Sequence, residues 1–100
     1  MTAMPVTVTH NAQACRFEAR PQGQLALCSY RQQGAVLVLQ HTEVPPQLQG
    51  QGVAAELVRS ALDWARDQGL RVRPTCSYVA AYMRRHPQTH VLLESRAVPP

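Results

Sequence analysis

The sequence contains no lysine. All ten of its basic residues are arginine, set against six carboxylates for a formal charge of +4. The arginines are scattered, and Arg84–Arg85 is the only adjacent pair. Aromatic residues make up 5% of the chain, so the stacking platform used by single-stranded nucleic acids is missing. This balance suits an anionic small molecule and argues against nucleic acid as the partner. No uninterrupted apolar run approaches about 18 residues, which excludes a membrane-spanning helix of ordinary length. Met1–Pro5 lacks the basic and apolar regions of a secretion signal, so a cytoplasmic location is the expectation. Cys15, Cys28 and Cys76 are odd in number, widely spaced and without a C-x-x-C pair. That spacing argues against a disulfide framework or structural zinc, and reduced thiols are expected. The histidines show no metal-ligand spacing either, so no metal is expected. One hundred residues with 45% hydrophobic content fit one globular domain over 1–100, with no room for a second core.

What is present is a switch of hydrophobic period. Residues 5–9, 13–19 and 24–31 alternate apolar and polar side chains, which predicts strands. Pro21-Gln22-Gly23 and Gln32-Gln33-Gly34 are turn signals between them. Ala35 to Leu39 is continuously apolar, as in a central strand covered on both faces, and it continues through Thr42 until Pro45-Pro46 ends it. From Gly52 the period becomes three and four, with Val53, Ala54, Leu57, Val58, Ala61, Leu62 and Ala65 forming one stripe of a helix over 51–68. Glu56/Arg59, Arg59/Asp63 and Asp63/Arg66 are spaced for ion pairs on its outer face. Gly69 supplies a left-handed cap. A short strand at 70–74 and a helix within Cys76–His86 follow, closed by Pro87. Val91-Leu92-Leu93 reads either as a last strand or as packing. A helix joining two strands makes them parallel. The predicted fold is therefore α/β in the α+β sense: a mixed, mainly antiparallel sheet with helices packed on it. Its one parallel pair flanks the glycine-bearing turn, where ligands of open α/β sheets sit.

That turn, Gln49-Gly50-Gln51-Gly52-Val53-Ala54, carries the chemistry. A strand, a glycine turn and a helix N-terminus leave unpaired N–H groups pointing outward, where the helix dipole places roughly half a positive charge. A Cβ at Gly50 or Gly52 would keep a diphosphate from the backbone. The same residues also suit an ordinary strand-to-helix connection.

Three stretches taken together are more specific: His41-Thr42-Glu43-Val44-Pro45, then Gln49-x-x-Gly52-x-Ala54, then Pro74-x-Cys76-x-x-Val79-x-x-Tyr82-x-Arg84-Arg85-His86-Pro87. With these, over residues 36–90, the chain resembles the GNAT superfamily of acetyl-coenzyme A-dependent N-acetyltransferases, and in particular its short single-domain members. The resemblance implies transfer of an acetyl group from acetyl-CoA to an amine acceptor, either a small molecule or a protein. It implies a pyrophosphate cradled by Gln49, Gly50, Gln51, Gly52, Val53 and Ala54. It further implies a pantetheine arm hydrogen-bonded by the backbone near Val44, between strands that splay. The chain departs from full-length members, which carry acceptor-binding helices after their first strand.

The catalytic candidates are Cys76, His41 and Glu43. Cys76 precedes a helical pattern, where a thiol becomes more acidic, and a cysteine at the matching place is suspected of catalysis in the short members. It reads equally as a small buried hydrophobe. His41 and Glu43 flank Thr42 and so share one side of their strand, where either serves as general base through a water or as a solvated side chain. Arg84, Arg85 and His86 suit either the cofactor's phosphates, Arg85 above all, or a solvated helix end. Tyr82 and Trp64 read as packing, as do Cys15 and Cys28. The alternative function is a coenzyme A-binding or interaction module without turnover.

Overall fold

The computed structural model describes residues 6–94. Five strands form one sheet in sequence order: β1 (Thr9–Asn11), β2 (Arg16–Ala19), β3 (Ala26–Gln33), β4 (Val36–Glu43) and β5 (Arg71–Pro74). The first four are antiparallel, and β4 and β5 are parallel. Between those two runs α1 (Val53–Gln68), and α2 (Ser77–Arg85) follows β5. The mixed sheet, its single parallel pair and the helices agree with the expected class.

Gly34 makes the central hairpin possible. At φ 58° it and Ala35 turn β3 into β4, so that Gln33 faces Val36. One irregularity interrupts this ladder. Tyr30 pairs with Leu39 and Ser29 with His41, which leaves Gln40 as an extra residue in β4. Such a bulge shifts side-chain alternation by one place beyond it.

Both helices pack on one face of the sheet. Leu37, Leu39, Cys28 and Tyr30 meet Leu57, Val58 and Leu62 of α1 and Val79 and Met83 of α2 in one buried cluster. The predicted stripe on α1 is thus the buried one except at Ala54, which is only half-buried, and all three expected ion pairs form on its outer face. The opposite sheet face carries cross-strand rows such as Arg16–Ser29–His41 and Glu18–Leu27–Glu43.

Several boundaries differ from the sequence reading. The first ladder covers Thr9–Asn11 rather than 5–9; Val6 and Val8 pack against the core without pairing, and Pro5 lies outside the described residues. The strand expected over 13–19 begins only at Arg16, because residues 12–15 form a turn. There the Asn11 side chain accepts from the Ala14 amide, and Cys15 adopts φ 56°. Cys15 is accordingly an exposed turn residue, not a packing residue, whereas Cys28 is buried. The third strand, expected over 24–31, runs Ala26–Gln33, which moves the next turn from Gln32-Gln33-Gly34 to Gly34-Ala35. The terminal segment is a 3-10 turn, Pro87–Leu92, followed by a parallel bridge between Leu93 and Val72. Trp64 packs as expected, in a box with Phe17, Tyr30 and His10.

Candidate functional site

The parallel pair forks. β4 and β5 are in register only from Val36↔Arg71 to Leu39↔Pro74. There the amides of Thr75 and Cys76 and the Thr75 hydroxyl all converge on the Leu39 carbonyl, at 3.0–3.1 Å. Three donors at one acceptor turn the chain away into α2. Among the described residues, Gln40 to Glu43 of β4 therefore pair with no strand on the β5 side, where Thr42 meets Cys76 instead.

Beyond the fork, Val44 leads through a 3-10 turn, Pro46–Leu48, to the glycine loop. The Gln49 side-chain amide donates to the Val44 carbonyl at 3.1 Å, tying the loop to the strand end. Gly50 (φ 81°) and Gly52 (φ 86°) take left-handed conformations that few other residues tolerate. A Cβ at either position would meet no protein atom within 4 Å, so the loop's outer side is open space.

Gly52 is the N-cap of α1, and no side chain caps the helix. The first intrahelical bond runs from the Glu56 amide to the Gly52 carbonyl, leaving the amides of Val53, Ala54 and Ala55 without a partner among the described residues. Glu56, the only acid of the first turn, is drawn to Arg59 at 2.6 Å. The positive end of the dipole thus opens onto a cleft of about 460 Å³, lined by Thr42, Val44, Leu48, Gln49, Gly50, Gly52, Val53, Ala54, Ala55 and Tyr78. Glycines with room beside them, small alanines and uncapped amides fit a diphosphate, with apolar Val44, Leu48 and Val53 for a neutral arm.

The structure divides the sequence candidates. Val44, Gln49, Gly50, Gly52, Val53 and Ala54 line the cleft; Gln51 does not, and its side chain bonds the Gln47 carbonyl. Arg85 is exposed at the far end of α2, away from the lining. His41 and Glu43 share a face, as expected, and their side chains approach to 3.9 Å, both exposed. That face is the one opposite the helices, because the bulge at Gln40 turns Thr42 inward instead.

Cys76 is the N-cap of α2, half buried, with its Sγ 3.5 Å from the Thr42 hydroxyl. Burial pushes its thiol up. Hydrogen bonds from the Thr42 side chain and from the amides of Val79, Tyr78 and Thr42 outweigh that, and the net result is a thiol more acidic than usual. Tyr82 is buried and its ring stacks on His86 at 4.0 Å, the place of a packing residue. Thr42, Leu48, Ala55 and Tyr78 escaped the sequence reading. Thr42 and Tyr78 stood next to residues it had named, but only the bulge and the start of α2 orient them. Among the described residues no three metal-ligating side chains cluster, and no helix is long and apolar enough to cross a membrane.

An uncapped helix N-terminus beside a forked parallel pair places the molecule in the α/β class, with a cleft at the fork whose amides and apolar wall suit an extended anionic ligand. Comparison with known proteins narrows the class. The family model of the GCN5-related N-acetyl-transferases matches residues 16–92, and the chain belongs to that family. It is 36% identical to Protein NATD1 of Mus musculus over 86 residues, which is 83% of this chain and 78% of that protein. It is 31% identical to Protein NATD1 of Danio rerio over 88 residues, 85% and 80% of the two chains. A solution structure of a GCN5-like protein from Staphylococcus aureus matches with a TM-score of 0.67 over 100% of both chains. At 21% identity, that likeness is one of fold.

Proposed function

We propose that this protein transfers an acetyl group from acetyl-coenzyme A to an amine. The observation that carries the reading is the set of three unpartnered amides at Val53, Ala54 and Ala55, opening onto a cleft that continues to the fork of β4 and β5. Each amide bonded to a phosphate oxygen contributes ~1.5–3 kcal/mol, and the helix dipole up to ~2 kcal/mol. A micromolar ligand needs about 8 kcal/mol. Amides, dipole and the apolar wall together reach that order.

Bound there, acetyl-coenzyme A supplies an activated acetyl group. The chain's residues supply position and proton handling. The glycine loop orients the donor, and the open edge of β4 offers amides to polarise a carbonyl. His41 and Glu43 stand on the opposite face of the same strand, where either takes a proton from an incoming amine through a water. Cys76 acts on the helix side. With Cys28 and Cys76 as free thiols, a reducing, cytoplasmic setting suits the protein.

The test combines calorimetric titration with acetyl-coenzyme A and a thiol-release assay across a panel of amines. Micromolar binding with acceptor-dependent release is the expected result. The absence of lysine helps, because no ε-amine of the protein itself can consume donor. Binding without release would instead indicate a coenzyme A-binding module, a role that the exposure of His41 and Glu43 also accommodates. No binding would reject the site.

A further inference from the structure

The extra residue at Gln40 decides which side chain lies beneath Cys76. Leu37 and Leu39 point toward the helices, and even alternation would next send His41 there. With Gln40 inserted, Thr42 instead stands opposite Cys28 in the ladder, and its Oγ1 comes within 3.5 Å of Cys76 Sγ. Cys28 is fully buried and faces Thr42 directly across the ladder. One hydroxyl thus sits between two sulfurs, and it has a single proton to donate.

Which sulfur receives that proton follows from the surroundings. Burial pushes the Cys28 thiol up to about 11, so it stays a neutral thiol with little pull on the Thr42 proton. The hydroxyl proton is left for Cys76. Thr42 also lines the cleft, so this chain of contacts ends at the wall of the proposed donor site.

We propose that Thr42, turned inward by the bulge at Gln40, is a positioning residue that holds Cys76 Sγ as a hydrogen-bond acceptor at the cleft wall during acetyl transfer. Its purpose rests on the transferase reading; the contacts themselves do not. A Cys76 sulfur that gives up its proton keeps its negative charge beside the Thr42 hydroxyl and at the N-terminal end of α2. The titratable group that faces it from the sheet is Cys28 of β3. Among the described residues no arginine or carboxylate is ion-paired or hydrogen-bonded to it.

The test is the pH dependence of Cys76 alkylation by iodoacetamide, in a Cys15→Ser background that removes the exposed thiol, with no acyl donor present. The parent midpoint is expected below the ordinary thiol value. Thr42→Val should raise it by about one to two pH units, the worth of a hydrogen bond to a charged group. Thr42→Ser should restore it, which a merely structural role would not require. Circular dichroism identifies folded variants. A folded Thr42→Val with an unmoved midpoint overturns the proposal; should that variant fail to fold, an unmoved midpoint in a folded Thr42→Ala does so. Missing acceptor-dependent release in the parent protein rejects the transferase reading alone, since the titration contains no acyl donor.

Discussion

The two ends of α1 are bounded by glycines in the same left-handed conformation, Gly52 at φ 86° and Gly69 at φ 73°, yet they are finished in opposite ways. At the C-terminus the Gly69 amide bonds the Arg66 carbonyl and the Leu70 amide bonds the Ala65 carbonyl at 2.8 Å, closing a Schellman motif. Nearby, Trp64 packs with Phe17 and Tyr30 around His10, whose Nε2 is 2.6 Å from the Tyr30 hydroxyl. At the N-terminus three amides are left open, no side chain caps them, and the neighbouring acid is drawn off by Arg59. Unpaired helix-end groups cost stability unless something satisfies them. One end of this helix is completed by its own chain, and the other is in a form that a ligand completes.

The sharpest way to break this contrast is Ala54→Glu. A carboxylate in the first turn favours the helix dipole, so thermal stability should hold or rise slightly. Placed in the cleft it repels phosphate, and acetyl-coenzyme A affinity by calorimetry should fall about a hundredfold, the equivalent of ~2.7 kcal/mol. Retained affinity would remove the N-terminus as an anion site. At the other end Gly69→Ala should do the reverse. A Cβ there meets no atom, so the cost is conformational, about 1 kcal/mol in urea unfolding, with cofactor affinity unchanged.

The smallest effect concerns His10. Burial holds its pKa below the ordinary 6.5, so the folded state takes up a proton less readily than the unfolded chain. Its contribution is complete above pH 6.5 and declines as pH falls through that value. Urea midpoints at pH 7 and pH 5.5 should show the decline, and His10→Phe, which keeps a ring against Phe17, should flatten it. Glu18 and Glu94, both held below 4.5 by arginine hydrogen bonds, weaken the fold only at lower pH.

The sequence carried the helix-and-turn half of this molecule well. Leu57, Val58, Ala61 and Leu62 recur at the helical period because one face of α1 is buried, and Gly52 and Gly69 mark conformations that few other residues adopt. The N-terminal strands were less legible. At 12–15 an Asn11 side-chain hydrogen bond and a positive φ at Cys15 override an alternating pattern, since local bonds compete with the ladder. Thr42 was missed for a different reason. A bulge leaves no periodic trace of its own, and here it shows only in the register of β4 against β3.

The consequence of Gln40 reaches past register. One inserted residue reverses the parity of everything downstream in β4, giving a single strand a thiol-facing side and an imidazole-and-carboxylate side only one backbone thick. Straightening the bulge with Gln40 kept in the ladder would exchange the two inventories, sending His41 and Glu43 to the helix side and Thr42 out to water, whereas deleting Gln40 would leave each where it is.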